Sequence, residues 1–419
     1  MDRHILRIVG VIVLVIIPCV LASQQPSDAN DLKTLGDYLR HASLNNAELK
    51  AKFEQWKAAL EQVPQVKALE DPKFNYGYFI EEVETKVGPQ RHRFGIMQVF
   101  PWFGKIEART DAAATRAKVA QKRYEATKLK LFFQVKDAFS EYAYLARAVE
   151  IARENLELIK HFEEVARTKY MAAAAGHPDV IRAQVELAKL EDQLKTIEGL
   201  RNPIVARLNA VLNRKSFQML PWPRREQFQP AKINRQDVIK MLKARNPEIK
   251  ALEFEVEVAK STVELAKKKF WPDIGVGVDS IQTDGGNNPI ILMFTMNLPI
   301  WRESYKAAEL QAKANVRKAT HQRTETENKI ISRTEQALYD FDDSDRKVKL
   351  YRDILIPKAE ELLGASETAY KTGTIDFLSL IDAQRMLLNY QLFYERAVAD
   401  NAQRLAELEM LAGSELSGR

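Results

Sequence analysis

The sequence predicts a mainly helical chain with a small β part, built as two copies of one unit. Three observations carry this. There is an internal repeat at an offset of 200 residues, there are two very long stretches free of glycine and proline, and there are two pairs of strand-like segments joined by turn residues. The repeat sets Asn46-Ala47-Glu48-Leu49-Lys50-Ala51 against Asn246-Pro247-Glu248-Ile249-Lys250-Ala251. Pro72 and Pro272, Tyr170 and Tyr370, Ala183-Gln184 and Ala383-Gln384, Leu187 and Leu387, and Asp37 and Asp237 keep the same register. One such match is chance, but this many in one register mark a duplication.

The chain opens on a leader. Arg3 and Arg7 precede a nearly unbroken apolar run from Ile8 to Ala22, and Val20-Leu21-Ala22 before Ser23 offers a small-residue cleavage site. The run falls short of the roughly 20 residues that cross a bilayer, so 1–22 reads as a cleaved signal peptide rather than an anchor. Cys19, the only cysteine, lies inside it after Ile17-Pro18, a poor context for lipid attachment. A mature chain without thiols suits an exported protein held together by packing.

The first repeat is placed at 23–214, a proline-marked linker (Pro221, Pro223, Pro230) at 215–233, the second repeat at 234–412 and a tail at 413–419. Each repeat starts with a helix, 31–66 or 234–270. A strand pair follows: Phe74 to Ile80 with His92 to Phe100, and Ile274 to Val278 with Ile290 to Leu298. Val87-Gly88-Pro89-Gln90 and the stretch from Asp284 to Pro289 supply the turn chemistry of two hairpins. Residues 105–171 then form the first long helix and 302–356 the second, which continues in composition past Pro357 to Lys371. At 1.5 Å per residue the first spans about 100 Å, more than a globular core requires and typical of coiled coils or bundles. Turns at Ala175-Gly176-His177-Pro178 and Thr372-Gly373-Thr374 lead into return helices 179–213 and 376–411. The expected inventory is two long helices, four shorter helices and four strands.

The strands have the length of tilted strands crossing an outer membrane. In the last one Leu292, Phe294, Met296 and Leu298 point one way and Thr295 and Asn297 the other, as lipid outside and water inside require. Trp102, Phe103, Trp271 and Trp301 stand where strand meets helix, the place of an aromatic girdle. Four strands cannot close a barrel. An open edge in lipid leaves unpaired N–H and C=O groups at several kcal/mol each, so closure requires several chains. A soluble α+β domain with its hairpins folded on helices is the alternative for these strands taken alone.

The formal net charge of +6 is spread over many Lys, Arg, Asp and Glu, with no dense basic stripe carrying interleaved aromatics, so nucleic-acid binding has no support. The six histidines, His4, His41, His92, His161, His177 and His321, show no metal-ligand spacing. No phosphate-binding glycine loop or nucleophile elbow is present. The reading is a non-enzyme with no cofactor and no metal site.

Several motifs resemble the TolC family of outer-membrane efflux proteins, in its branch serving heavy-metal resistance-nodulation-division (RND) pumps. Gln98-Val99-Phe100-Pro101-Trp102-Phe103-Gly104-Lys105 resembles the segment leaving that branch's first hairpin, with Leu298-Pro299-Ile300-Trp301-Arg302 as its echo. Tyr370-Lys371-Thr372-Gly373 and Asp376-Phe377-Leu378-Ser379-Leu380-Ile381-Asp382-Ala383-Gln384-Arg385 resemble the family's second tip motif. The first tip departs, with Ala173 where glycine is usual. Ser379 stands at one of two positions often acidic in the family, and Ile375 where arginine often follows.

The resemblance implies a TolC-like α/β-barrel protomer. Three copies would form a twelve-stranded barrel in outer-membrane lipid and a helical duct in the periplasm. A periplasmic adaptor and an inner-membrane RND pump would be its partners. The candidate gate at the duct mouth comprises Asp382, Asp376, Tyr370 and Tyr170. A carboxylate ring there would favour cations, although Asp376 also stands where it can cap the return helix. Two other classes remain in view: a periplasmic coiled-coil scaffold without a pore, and an adaptor. Adaptors carry one helical hairpin among domains rich in short strands, against two hairpins and few strands here.

Overall fold

The computed structural model describes residues 32–224, 228 and 230–416; the expected signal peptide 1–22 and residues 417–419 of the tail lie outside the described residues. The first half runs α1 (Leu35–Asn45), α2 (Ala47–Lys67), β1 (Lys73–Val83), β2 (Gln90–Phe100), α3 (Lys105–Met171), α4 (His177–Gly199) and α5 (Arg201–Val211). The second runs α6 (Arg235–Arg245), α7 (Pro247–Lys268), β3 (Ile274–Thr283), β4 (Ile290–Met296), α8 (Arg302–Leu350), a π-helical turn (Tyr351–Leu355), α9 (Ile356–Thr372) and α10 (Phe377–Ala412).

The long helix at 105–171 forms as its composition requires, unbroken over 67 residues. Several other expected helices are subdivided, each for a local reason. The opening helices break at Asn46 and Asn246, whose extended backbones end one helix while their side chains cap the next. Asn46 Oδ1 accepts from Leu49 N–H at 2.9 Å, and its Nδ2 donates to the Val211 carbonyl at 2.9 Å. Asn246 repeats the device, accepting from Glu248 and Ile249 N–H at 2.9 and 3.1 Å and donating to Leu411 at 2.9 Å. One asparagine thus caps a helix and ties it to the end of its own repeat. Pro203 and Pro357 explain the other breaks. Neither can donate to the carbonyl four residues back, so α4 gives way to α5 at Leu200 and the second long helix passes through the π turn.

The strands run longer than the sequence suggested, to Val83 and Thr283, while β4 stops at Met296. All four join one antiparallel sheet in the order β1-β2-β3-β4. Between the expected hairpins, β2 and β3 pair from Phe100↔Ile274 to Gln90↔Thr283, so the halves meet edge to edge. Their end loops touch backbone to backbone: a Cβ on Gly88 would stand 2.8 Å from Gly285 N. Below the sheet, α3 packs along α2, α7, α4 and α10, and α10 returns between α3, α8 and α9. The apolar cores follow one another along this bundle. One lies at the turn end around Phe162, Tyr370, Phe377 and Leu380, one around Tyr38, Phe139, Tyr142 and Leu208, and one around Leu242, Phe341 and Leu408. The linker is held to the middle core, where Tyr142 Oη donates to the Leu220 carbonyl at 2.9 Å and stacks on Trp222.

Candidate functional site

The sheet has two unlike faces. Register places Phe74, Tyr76 and Tyr78 of β1, Phe94 and Ile96 of β2, Val276 and Val278 of β3, and Leu292, Phe294 and Met296 of β4 on one side. All of them are exposed. A soluble monomer does not leave so large a contiguous apolar patch in water. The opposite face carries Lys73, Asn75, Arg93, Asp279, Thr283 and Thr295 among Gly77, Gly95, Gly275 and Gly277. Both outer edges, β1 and β4, lack a second partner among the described residues.

The aromatics flagged in the sequence gather where strands become helices. Trp102 is half-buried and stacks on Trp271 at 5.3 Å between ring centres, 9° from parallel. Phe103, Trp271 and Trp301 are exposed, Phe103 at 83%. A buried lysine holds this junction. Lys105 Nζ donates to the Trp271 carbonyl at 2.8 Å and to Asp273 Oδ1 at 2.7 Å, and the same Oδ1 accepts from Trp102 N–H at 2.8 Å. The start of α3 is thereby fastened to the strand entry of the other repeat.

At the other end, 200 residues apart, two turns of one design reverse the bundle. Ala173 N–H donates to Tyr170 O and Ala174 N–H to Lys169 O at 2.9 and 2.8 Å. Gly373 and Thr374 do the same to Tyr370 and Ala369 at 3.1 and 2.9 Å. Ala173 and Gly373 both have positive φ, 55° and 81°. This is the paired-bond helix ending that favours glycine.

The four candidate gate residues do different things here. Asp376 caps α10: its Oδ1 accepts from Ser379 N–H at 2.9 Å and from Ser379 Oγ at 2.7 Å. Those two bonds hold its carboxyl below the usual range. Asp382 is exposed and lies 3.2 Å from Arg385, one turn along the same helix. Tyr370 is buried, edge-on to Phe377 at 5.3 Å and under Lys169 Nζ at 4.6 Å from its ring centre. Burial first, then the Asp179 carboxylate, push its hydroxyl up to about 12. Tyr170 is half exposed and leans on His177 at 5.2 Å. Tyr170 and Tyr370 therefore occupy matching positions with opposite exposure.

Sequence reasoning missed the connection between the two tips. Arg385 of α10 makes a two-pronged pair with Glu186 of α4, Nε to Oε2 at 3.1 Å and Nη2 to Oε1 at 2.5 Å. Partial burial opposes ionisation of Glu186, but its bonds to Arg385 and Lys189 outweigh it and the carboxyl sits below its ordinary range. Lys169 Nζ also crosses from the first tip to the Tyr370 carbonyl. Glu186 and Arg385 lie 199 residues apart, one short of the repeat offset, and only packing shows that they face each other.

The model of the outer membrane efflux protein family matches residues 38–214 and again 238–414. The chain belongs to the outer membrane efflux protein family. Nodulation protein T of Rhizobium leguminosarum bv. trifolii is 25% identical over 329 residues, covering 74% of this chain and 69% of that protein. The cobalt-zinc-cadmium resistance protein CzcC of Cupriavidus metallidurans is 20% identical over 315 residues, covering 74% of each. The crystal structure of CusC, described with transmembrane channel formation, shares the fold with a TM-score of 0.79 at 15% identity over 91% of this chain and 92% of that one. This outer membrane efflux protein is thus a duplicated TolC-like protomer, a channel of a tripartite efflux system and not an enzyme. Its sheet belongs to the outer membrane and its helices extend into the periplasm. No helix among the described residues is long and apolar enough to cross a membrane.

Proposed function

We propose that three copies of this chain form one exit duct, joined to a periplasmic adaptor and an inner-membrane RND pump, and that its cargo includes heavy-metal cations. The observation that carries closure by several copies is the sheet, with one mainly apolar, exposed face and two edges unpaired among the described residues, which in lipid are satisfied by pairing β1 of one copy with β4 of the next; the number three follows the resemblance to the TolC family. Twelve strands then close around the polar face. The likeness to CzcC, named for cobalt-zinc-cadmium resistance, supports the cargo class.

In the closed duct the Glu186–Arg385 pair holds α4 to α10, so that a moving return helix must break it. Asp382, exposed beside Arg385, faces the mouth and Asp376 serves as helix cap. Trp271, Trp301 and Phe103 seat in the inner-leaflet interface, with Trp102 stacked behind them. The test is mass measurement of the detergent-extracted protein, followed by metal-salt survival of a duct-deficient strain expressing it with its pump and adaptor. A trimer and restored tolerance to cobalt, zinc or cadmium salts are expected. A water-soluble monomer overturns the duct, and restored tolerance to organic toxicants alone overturns the metal cargo.

A further inference from the structure

In mid-sheet an ion pair crosses the polar face, and water reaches its two halves unequally. Arg93 of β2 donates from Nε to Asp279 Oδ2 of β3 at 2.5 Å, and its Nη2, also on that carboxylate, lies 3.4 Å from Met293 Sδ of β4. The guanidinium therefore spans three strands and lies along the wall. Gly95, the direct cross-strand partner of Asp279, makes the room: a Cβ there would overlap Asp279 Oδ1. The Asp279 side chain is 3% exposed and that of Arg93 46%. Water over this face meets the cation, while the carboxylate stays underneath.

We propose that Arg93 is a charge filter of the membrane-spanning bore: a ring of guanidinium groups, one per copy, that favours anionic solutes and retards cationic ones. This rests on the reading of the polar face as the bore wall. Rings of fixed charge select ions by sign where the passage is narrow, and low-dielectric walls focus their field. Asp279, Met293 and Gly95 are positioning residues that hold the guanidinium flat. For a cationic cargo the ring is a barrier, lowered when the cation travels as a neutral or anionic complex.

Local potential is readable with a thiol. Ile291 is the β4 partner of Asp279 on the same face and is 39% exposed. Ile291→Cys in assembled outer-membrane vesicles is reacted with anionic and cationic methanethiosulfonates, the parent protein setting the background. The ratio of anionic to cationic rates is compared across three backgrounds. A unit charge about 8 Å away in water changes this ratio roughly twofold with physiological salt screening and roughly sixfold without it. Relative to the native pair, the ratio should rise by about that factor in Asp279→Asn, which leaves the guanidinium charge alone, and fall by a smaller one in Arg93→Gln/Asp279→Asn, which removes an exposed cation together with its covered carboxylate. The double change neutralises both partners, so a buried charge is not left behind. Equal ratios in the native pair and the neutral pair overturn the filter, because the pair then presents no net cation to the bore. Leu292→Cys, on the apolar face, separates this outcome from failure of the bore itself. If the charged reagents label Leu292→Cys as fast as Ile291→Cys, the apolar face is in water and the barrel reading is wrong.

Discussion

The two tip turns allow a paired experiment on backbone strain. Gly373 has φ 81° and ψ 16°, and an added Cβ meets nothing within 4 Å. The cost of Gly373→Ala is therefore conformational alone, about 1 kcal/mol for a side chain in the left-handed region. Ala173 already bears that cost at φ 55°, so Ala173→Gly should recover about 1 kcal/mol at the other tip. The assay is hydrogen–deuterium exchange of the amides that close each turn, Thr374 N–H on Ala369 O at 2.9 Å and Ala174 N–H on Lys169 O at 2.8 Å. A change of 1 kcal/mol in local opening is about fivefold in exchange rate. Exchange should quicken about fivefold at Thr374 in Gly373→Ala and slow by a similar factor at Ala174 in Ala173→Gly. Unchanged exchange at both sites would refute the reasoning, since strain would then not govern opening of the tips.

Other outcomes follow from the contacts. Asn246→Ala removes a cap and strands the buried Leu411 carbonyl, a loss of about 2–3 kcal/mol, while the more exposed Asn46→Ala costs about 1–2 kcal/mol; denaturant titration should rank them in that order. Lys105→Met leaves Asp273 without its buried cation, a loss of about 3–5 kcal/mol that should cut the yield of assembled protein in outer-membrane fractions. Because the Glu186 carboxyl is depressed below 4.5, its contribution is fully present above pH 4.5 and is lost as pH falls through the lower folded value. Protease cleavage of the tips should therefore rise below pH 4.5 in the native protein, and Glu186→Gln should show the raised rate at neutral pH.

How much was legible follows from the range of each interaction. Helix 105–171 was readable because its determinants are local: an uninterrupted run of helix-compatible residues leaves no point at which to stop. The inventory of shorter helices was too coarse because Asn46 and Asn246 were read as repeat markers, when each is also a cap with a partner 165 residues away. The gate candidates show the same divide. Asp376 resolved into a cap from a bond three residues along, which sequence could anticipate, whereas Glu186, Lys169 and Asp179 became part of the tip only through packing.

The sequence by itself determined the duplication, the long helices, the alternation of the strands and the incompleteness of a four-stranded sheet. These depend on spacing along the chain and on the cost of unpaired backbone groups in lipid. Tertiary structure decided that Tyr370 is buried while Tyr170 is half exposed, that Arg385 crosses to Glu186, and that Arg93 covers Asp279. Two like positions in a repeat share their local geometry, but what each side chain touches is set by the element packed against it, and no offset along the chain encodes that distance.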